Sequence, residues 1–144
     1  MDWFNYYGLV ILIILMIPNI IYSIKVKDGF KNKFGNKILE YSEQIGRYGS
    51  FIFLVFNIPK LFLGFWFSNA LVVYLIVNGI LLIIYLTTWV VMWGKNNLVR
   101  ALFLSICPSL IFIFSGIMTL NFPLMIFSVL FAVTHITISV KNAI

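Results

Sequence analysis

The hydrophobic residues of this chain lie in five long blocks and do not alternate with polar residues. Each block is about 17 to 24 residues long, which is the length that an α-helix needs to cross the hydrocarbon core of a membrane. The pattern therefore predicts an all-α protein, a polytopic bundle of five transmembrane helices. The blocks run approximately over residues 4–24, 50–67, 70–93, 98–116 and 123–140.

The composition agrees with a membrane protein. Of the 144 residues, 62% are hydrophobic, 18% are aromatic and only 10% are charged. About 100 residues lie in the five blocks, so residues 1–144 are predicted to form a single membrane domain. The net charge of +6 is explained by retention of basic residues on the cytoplasmic side of the spans. No nucleic-acid partner is therefore expected.

The distribution of basic residues predicts the orientation of the spans. Alternate threading of the five blocks places every Lys and Arg except Lys60 on one side of the membrane. Because basic residues are retained in the cytoplasm, the N-terminus is predicted outside and the C-terminus inside. In a four-span alternative, which the charge pattern disfavours, block 50–67 is re-entrant or interfacial.

The segment between the first two blocks, residues 25–49, is predicted to be a cytoplasmic basic loop that contains a short amphipathic helix. Asn36 is expected to cap this helix, and Gly46 or Gly49 to end it. Glu43 and Arg47 form an i,i+4 ion pair on its polar side. The apolar residues that share one face are Phe34, Ile38, Tyr41, Ile45 and Tyr48.

A run of lysines precedes and enters this helix. Lysines near a membrane surface attract anionic lipid headgroups, at about 1 kcal/mol each. Two interpretations remain open, because the same lysines can serve only to set the topology. The lysines predicted to contact anionic headgroups are Lys25, Lys27, Lys31, Lys33 and Lys37.

Every block contains a polar side chain at a similar distance from its predicted cytoplasmic flank, about 8 to 10 Å at the rise of an α-helix. These side chains are either a belt of hydrogen bonds between helices or the lining of a polar cavity open to the cytoplasm. The candidate cavity residues are Asn19, Asn57, Thr87, Thr88, Ser105 and His135.

The sequence predicts neither catalytic chemistry nor a metal or other cofactor. Its four carboxylates are Asp2, Asp28, Glu40 and Glu43, and none is predicted within a span. Proton or cation coupling through a membrane-embedded acid therefore has no candidate residue. The single cysteine, Cys107, lies in the fourth block, where a buried thiol is usually inert. We accordingly predict that the protein is not an enzyme.

Short stretches along nearly the whole chain carry a family resemblance. They are IPNIIY at 17–22, KDGF at 27–30, EQIGRYG at 43–49, NIP at 57–59, GFWF at 64–67, CPS at 107–109, FSG at 114–116 and KNA at 141–143. This set resembles a group of small integral membrane proteins of Firmicutes for which no activity is established. The resemblance implies a multi-pass protein of the bacterial cytoplasmic membrane.

Two functions remain open at the level of sequence. The first is a non-enzymatic membrane protein that binds or regulates a partner, and it predicts that the polar belt tolerates substitution. The second is a small homo-oligomeric transporter or channel for a neutral polar solute. It predicts that Asn19, Asn57 and His135 line a hydrated cavity.

Overall fold

The computed structural model of the protein describes residues 4–25, 36–94 and 97–143. These residues form the all-α fold that the sequence predicts. Four of the five helices are long and apolar enough to cross a membrane, namely α1, α3, α4 and α5, and this indicates a multi-pass membrane protein. The helices are α1 (Tyr6–Lys25), α2 (Lys37–Val55), α3 (Ala70–Val91), α4 (Leu98–Thr119) and α5 (Phe122–Ala143).

Helices α2 and α5 lie side by side and run in opposite directions. Near the start of α2, Glu43 lies beside His135 in the second half of α5. Near the end of α2, the ring of Phe53 stacks on Phe127, which belongs to the first half of α5, with the ring centroids 5.5 Å apart. The start of α2 therefore lies at the same end of the bundle as the end of α5.

The ends of the bundle differ in chemistry. The Arg100 guanidinium lies 4.9 Å from the centroid of the Tyr22 ring, which joins the start of α4 to the end of α1. We call this end, which carries Lys25, Lys37, Arg100 and Lys141, the basic end. We call the opposite end, which carries the buried side chains of Asn5, Asn57 and Asn121, the amide end.

The predicted break in the second helix is wrong. Asn36 caps α2 as expected, because its side chain accepts hydrogen bonds from the backbone of Ile38 and Leu39. The helix then continues through Gly46 and Gly49 without interruption. Both glycines serve as contact points, since a Cβ atom on Gly46 would lie 2.6 Å from the backbone nitrogen of Phe131.

The predicted span over residues 50–67 is not a single helix. Helix α2 ends at Val55, and residues 56–69 are not helical. Pro59 disfavours the helical conformation of the residue before it, which explains why the helix does not extend into this segment. The segment bonds instead to the turn between α4 and α5, where Gly64 donates its backbone N–H to the Thr119 carbonyl at 2.8 Å.

The surface of the bundle is apolar, and much of its interior is polar. Large hydrophobic side chains are exposed along all five helices. In α2, the predicted apolar face points outward, while Glu43 and Ser50 are buried against the bundle. Phe34 lies outside the described residues. An apolar exterior around a partly polar interior fits a hydrocarbon surrounding, where no hydrophobic force drives helices together. The exposed face of α2 comprises Ile38, Tyr41, Ile45, Tyr48 and Ile52.

Candidate functional site

Three predicted belt residues lie at similar depth near the basic end. Asn19, Ser105 and His135 are each about 9 to 12 Å from the basic end of their helix. The side chain of Asn19 donates a hydrogen bond of 2.7 Å to the Tyr85 hydroxyl, which links α1 to α3. Ser105 is completely buried on α4, and His135 is partly buried on α5. The structure thus brings these three side chains to one level of the bundle.

Two of the predicted belt hydroxyls bond within their own helices. Ser105 donates to the Ala101 carbonyl at 2.6 Å, and Thr88 donates to the Ile84 carbonyl at 2.8 Å. Thr87 is exposed on the surface of α3. Because such bonds satisfy a hydroxyl locally, Ser105 and Thr88 favour the packing interpretation over a cavity.

The predicted depth of Asn57 is wrong. Asn57 is buried at the amide end, where the Asn121 side chain approaches its Oδ1 atom at 3.4 Å. The prediction placed the start of the second span at Ser50, but α2 crosses the bundle between Lys37 and Val55. Asn57 therefore follows the end of α2, on the far side of the bundle from His135.

A cluster of ionisable side chains lies between α2 and α5 at the level of Asn19. Arg47 donates a hydrogen bond to the Oε1 atom of Glu43, which confirms the predicted ion pair. The Nδ1 atom of His135 lies 3.7 Å from the same oxygen. The imidazole stacks on the Phe131 ring, with the centroids 4.6 Å apart and the planes 15° from parallel.

The predicted environment of Glu43 is wrong. The sequence pattern predicts Glu43 on a polar face in the loop, whereas Glu43 is only 6% exposed and packs against α5. Glu43 is therefore a buried carboxylate of the bundle and not a solvated residue of the loop. A signal was present, because Gly46 and Ser50 follow it at helical spacing, and small residues at such spacing mark a face that packs closely on another helix.

A second polar network, which was not predicted from the sequence, crosses the amide half of the bundle. The Asn5 side chain lies 3.4 Å from the Tyr74 hydroxyl, which also bonds to Ser115. Ser115 accepts a hydrogen bond of 3.0 Å from Asn78 on α3. These residues tie α1, α3 and α4 together, and the asparagines at 5 and 78 were the available signal. Within the part of the chain that the structure describes, the Asn78 Oδ1 atom has no partner.

The structure describes only two of the five lysines that are predicted to contact lipid headgroups. Lys25 and Lys37 are exposed at the basic end. Lys27, Lys31 and Lys33 lie outside the described residues. At the same end, the Arg100 guanidinium lies 5.3 Å from the centroid of the Trp89 ring, so its charge is held by aromatic faces.

The described residues offer no group of three or more His, Cys, Asp or Glu side chains that could hold a metal ion. Comparison of the chain with protein-family models, with curated proteins and with solved structures finds no match. Functional inference therefore rests on the geometry of the bundle.

Proposed function

We propose that the protein is a bacterial cytoplasmic-membrane protein in which all five helices cross the bilayer, with the basic end in the cytoplasm. The support is the collection of Lys25, Lys37, Arg100 and Lys141 at one end of the bundle, since basic residues are retained inside. Lys60 lies in the segment at the other end. The N-terminus is then outside and the C-terminus inside.

The fifth crossing in this proposal is α2. Its 19 residues extend for about 28 Å, which is close to the thickness of the hydrocarbon core. The helix lies alongside α5, and its outward face consists of five apolar or aromatic side chains. If α2 instead lay flat in the interface, it would have to leave α5 and expose Glu43. The pairing of Glu43 with His135 thus supports a crossing helix.

We propose further that the protein acts without enzymatic chemistry, by binding a helix of a membrane partner to the exposed face of α2. Tyr48 carries this proposal because its side chain is 58% exposed near the middle of α2. Its hydroxyl has no hydrogen-bond partner among the residues that the structure describes. A hydroxyl in hydrocarbon without a partner costs free energy, whereas a partner helix can supply an acceptor.

The alternative function, transport of a neutral polar solute, has less support. Its three proposed cavity residues are not brought together, because Asn57 lies at the amide end. Asn19 bonds to Tyr85, and His135 lies against Glu43. The anionic-lipid contact remains part of the proposal, with Lys25 and Lys37 at the headgroup level.

Site-specific photo-crosslinking in native membranes tests the partner-binding face. A benzophenone side chain at Ile45 should give a discrete crosslinked product, whose mass distinguishes a second copy from another protein. The control is Ile83 on α3, which is 65% exposed at similar depth and should give no such product. Tyr48→Phe should reduce the Ile45 product several-fold, as the loss of one hydrogen bond of about 1 kcal/mol implies.

Two results would contradict the proposal. One is the same pattern of products from both positions, which would indicate random collision. The other is an Ile45 product that is unaffected by Tyr48→Phe, since the hydroxyl would then have no role in binding.

A further inference from the structure

The cluster of Glu43, Arg47 and His135 suggests a role beyond partner binding. Intramembrane ionisable residues are costly, and they are functional candidates by default. Here they lie about 9 to 15 Å from the basic end of their helices, and the side chains of Glu43 and His135 are only 9% and 21% exposed. A structural role alone could be filled by apolar side chains of similar volume.

The packing of α2 on α5 fixes the geometry of the cluster. Gly46 lies against the Phe131 backbone, and Gly49 lies against the Phe127 ring, so α2 approaches α5 closely one and two turns after Glu43. Phe131 also stacks on the imidazole and so sets the plane of the His135 ring. The Nδ1 atom is thereby directed toward the Glu43 carboxylate.

The cluster can bind one further proton, on His135. Glu43 and Arg47 neutralise each other, so the cluster carries no net charge while His135 is neutral. A second proton on the imidazole gives a net charge of +1, with the Glu43 carboxylate 3.7 Å away as its counter-charge. In both states an N–H at Nδ1 can face the Oε1 atom of Glu43.

Other titratable groups around the cluster are few. On α5 itself, Lys141 lies beyond His135 toward the basic end. Helix α4 contributes the buried thiol of Cys107 and, nearer the basic end, Arg100. From α3, the hydroxyl of Tyr85 is close enough to Arg47 for their charges to interact. None of these groups is a carboxylate. Among the described residues, Glu43 is therefore the anion at the depth of His135.

We propose that Glu43, Arg47 and His135 form a membrane-embedded proton-binding site. His135 is the proton acceptor, since the lone pair of its unprotonated nitrogen takes a proton from a hydronium ion at the basic end and leaves a water molecule. Glu43 stabilises the resulting imidazolium by accepting the Nδ1 hydrogen bond. Arg47 is a positioning residue that holds the Glu43 carboxylate in place through their ion pair. The site does not depend on the partner-binding face, which lies on the opposite side of α2.

Histidine NMR on the full chain in lipid nanodiscs tests this site directly. His135 is the only histidine of the chain, so its imidazole signals need no assignment. In the wild type they should follow one reversible transition with pH. Glu43→Gln should move the transition to lower pH, because an opposite charge near the imidazole is lost. The matched control is Glu40→Gln at an exposed position one turn before Glu43, which should leave the transition unchanged.

A second measurement needs no variant at Glu43. The chain contains two glutamates, Glu40 and Glu43, and the Glu40→Gln control identifies their carboxyl ¹³C signals. In the wild type, only the Glu43 carboxyl should change at the pH where His135 titrates. An imidazole that does not titrate between pH 4 and 9 would overturn the proposal. A Glu43 carboxyl signal that does not change at the pH where His135 titrates would also overturn it.

Discussion

Helix α5 and helix α1 are both apolar, yet they attach to the bundle in different ways. Helices α2 and α4 approach α5 through small residues, and a Cβ atom on Gly46 would clash with the Phe131 backbone. Helix α1 has a close contact with α2 at Gly8, but its contacts with α3 use long side chains, such as Tyr22 against Trp89. Of the most apolar stretch of α5, 39% is buried, compared with 28% of the corresponding stretch of α1.

This difference shows where the fold depends on backbone shape and where it depends on side-chain reach. A contact through glycine admits no added atom, because packed interiors accommodate extra volume poorly. A contact through long side chains can adjust by a change of rotamer. The unit of α2, α4 and α5 should therefore be sensitive to small substitutions, whereas the pair of α1 and α3 should tolerate them.

Of the substitutions that compare these two kinds of contact, Gly46→Ala is expected to have the largest effect. The added methyl group would lie 2.6 Å from the Phe131 backbone nitrogen and 2.8 Å from its Cα atom, so α2 must move away from α5. We expect a loss of about 1 to 3 kcal/mol in the free energy of unfolding, measured by denaturant titration in detergent micelles.

The matched control is Gly79→Ala on α3. No heavy atom lies within 4 Å of the position that a Cβ atom would take there. The substitution should be neutral or stabilise the protein by up to about 1 kcal/mol, because alanine favours a helix over glycine. Equal stability of the two variants would show that α2 does not rest on α5 as closely as we describe.

A smaller effect is expected from Asn19→Leu, which acts on the contact between α1 and α3. The variant removes the hydrogen bond from Asn19 to the Tyr85 hydroxyl. Hydrogen bonds between membrane helices average about 0.6 kcal/mol, and a leucine can pack in the vacated space. The same denaturant titration should show a change of this size. If Asn19→Leu lowers the free energy of unfolding as much as Gly46→Ala does, the two kinds of contact do not differ in the way we describe.

Much of the fold could be predicted from the sequence, because long apolar blocks need no tertiary information. The helices α1, α3, α4 and α5 follow from such blocks, and the cap at Asn36 follows from local chemistry. The course of the second block could not be predicted in this way. The apolar run over 50–67 joins the last turn of α2 to the non-helical segment after it, and hydropathy does not register the boundary at Val55.

The candidate site was harder to predict, because it depends on which face of α2 turns inward. In a soluble protein the stripe of Ile38, Tyr41, Ile45 and Tyr48 would be buried and Glu43 would be solvated. Here the apolar stripe is exposed and Glu43 is buried. Periodicity alone identifies the two faces of a helix but does not show which face packs against the other helices. The glycines at 46 and 49 carry that information, since they mark the face of closest approach.

The depth of α2 in the bilayer is the measurement that bears most directly on the proposal that it is a fifth crossing helix. Single spin labels at Ile38, Ile45 and Ile52, in a Cys107→Ser background in lipid vesicles, would report depth through their collisions with oxygen and with a water-soluble nickel complex. If α2 crosses the bilayer, Ile45 should be the deepest, about 10 Å farther from the basic end than Ile38. Ile52 should lie closer to the opposite surface. Equal and shallow depths at all three positions would place α2 flat in the interface and contradict the five-helix crossing.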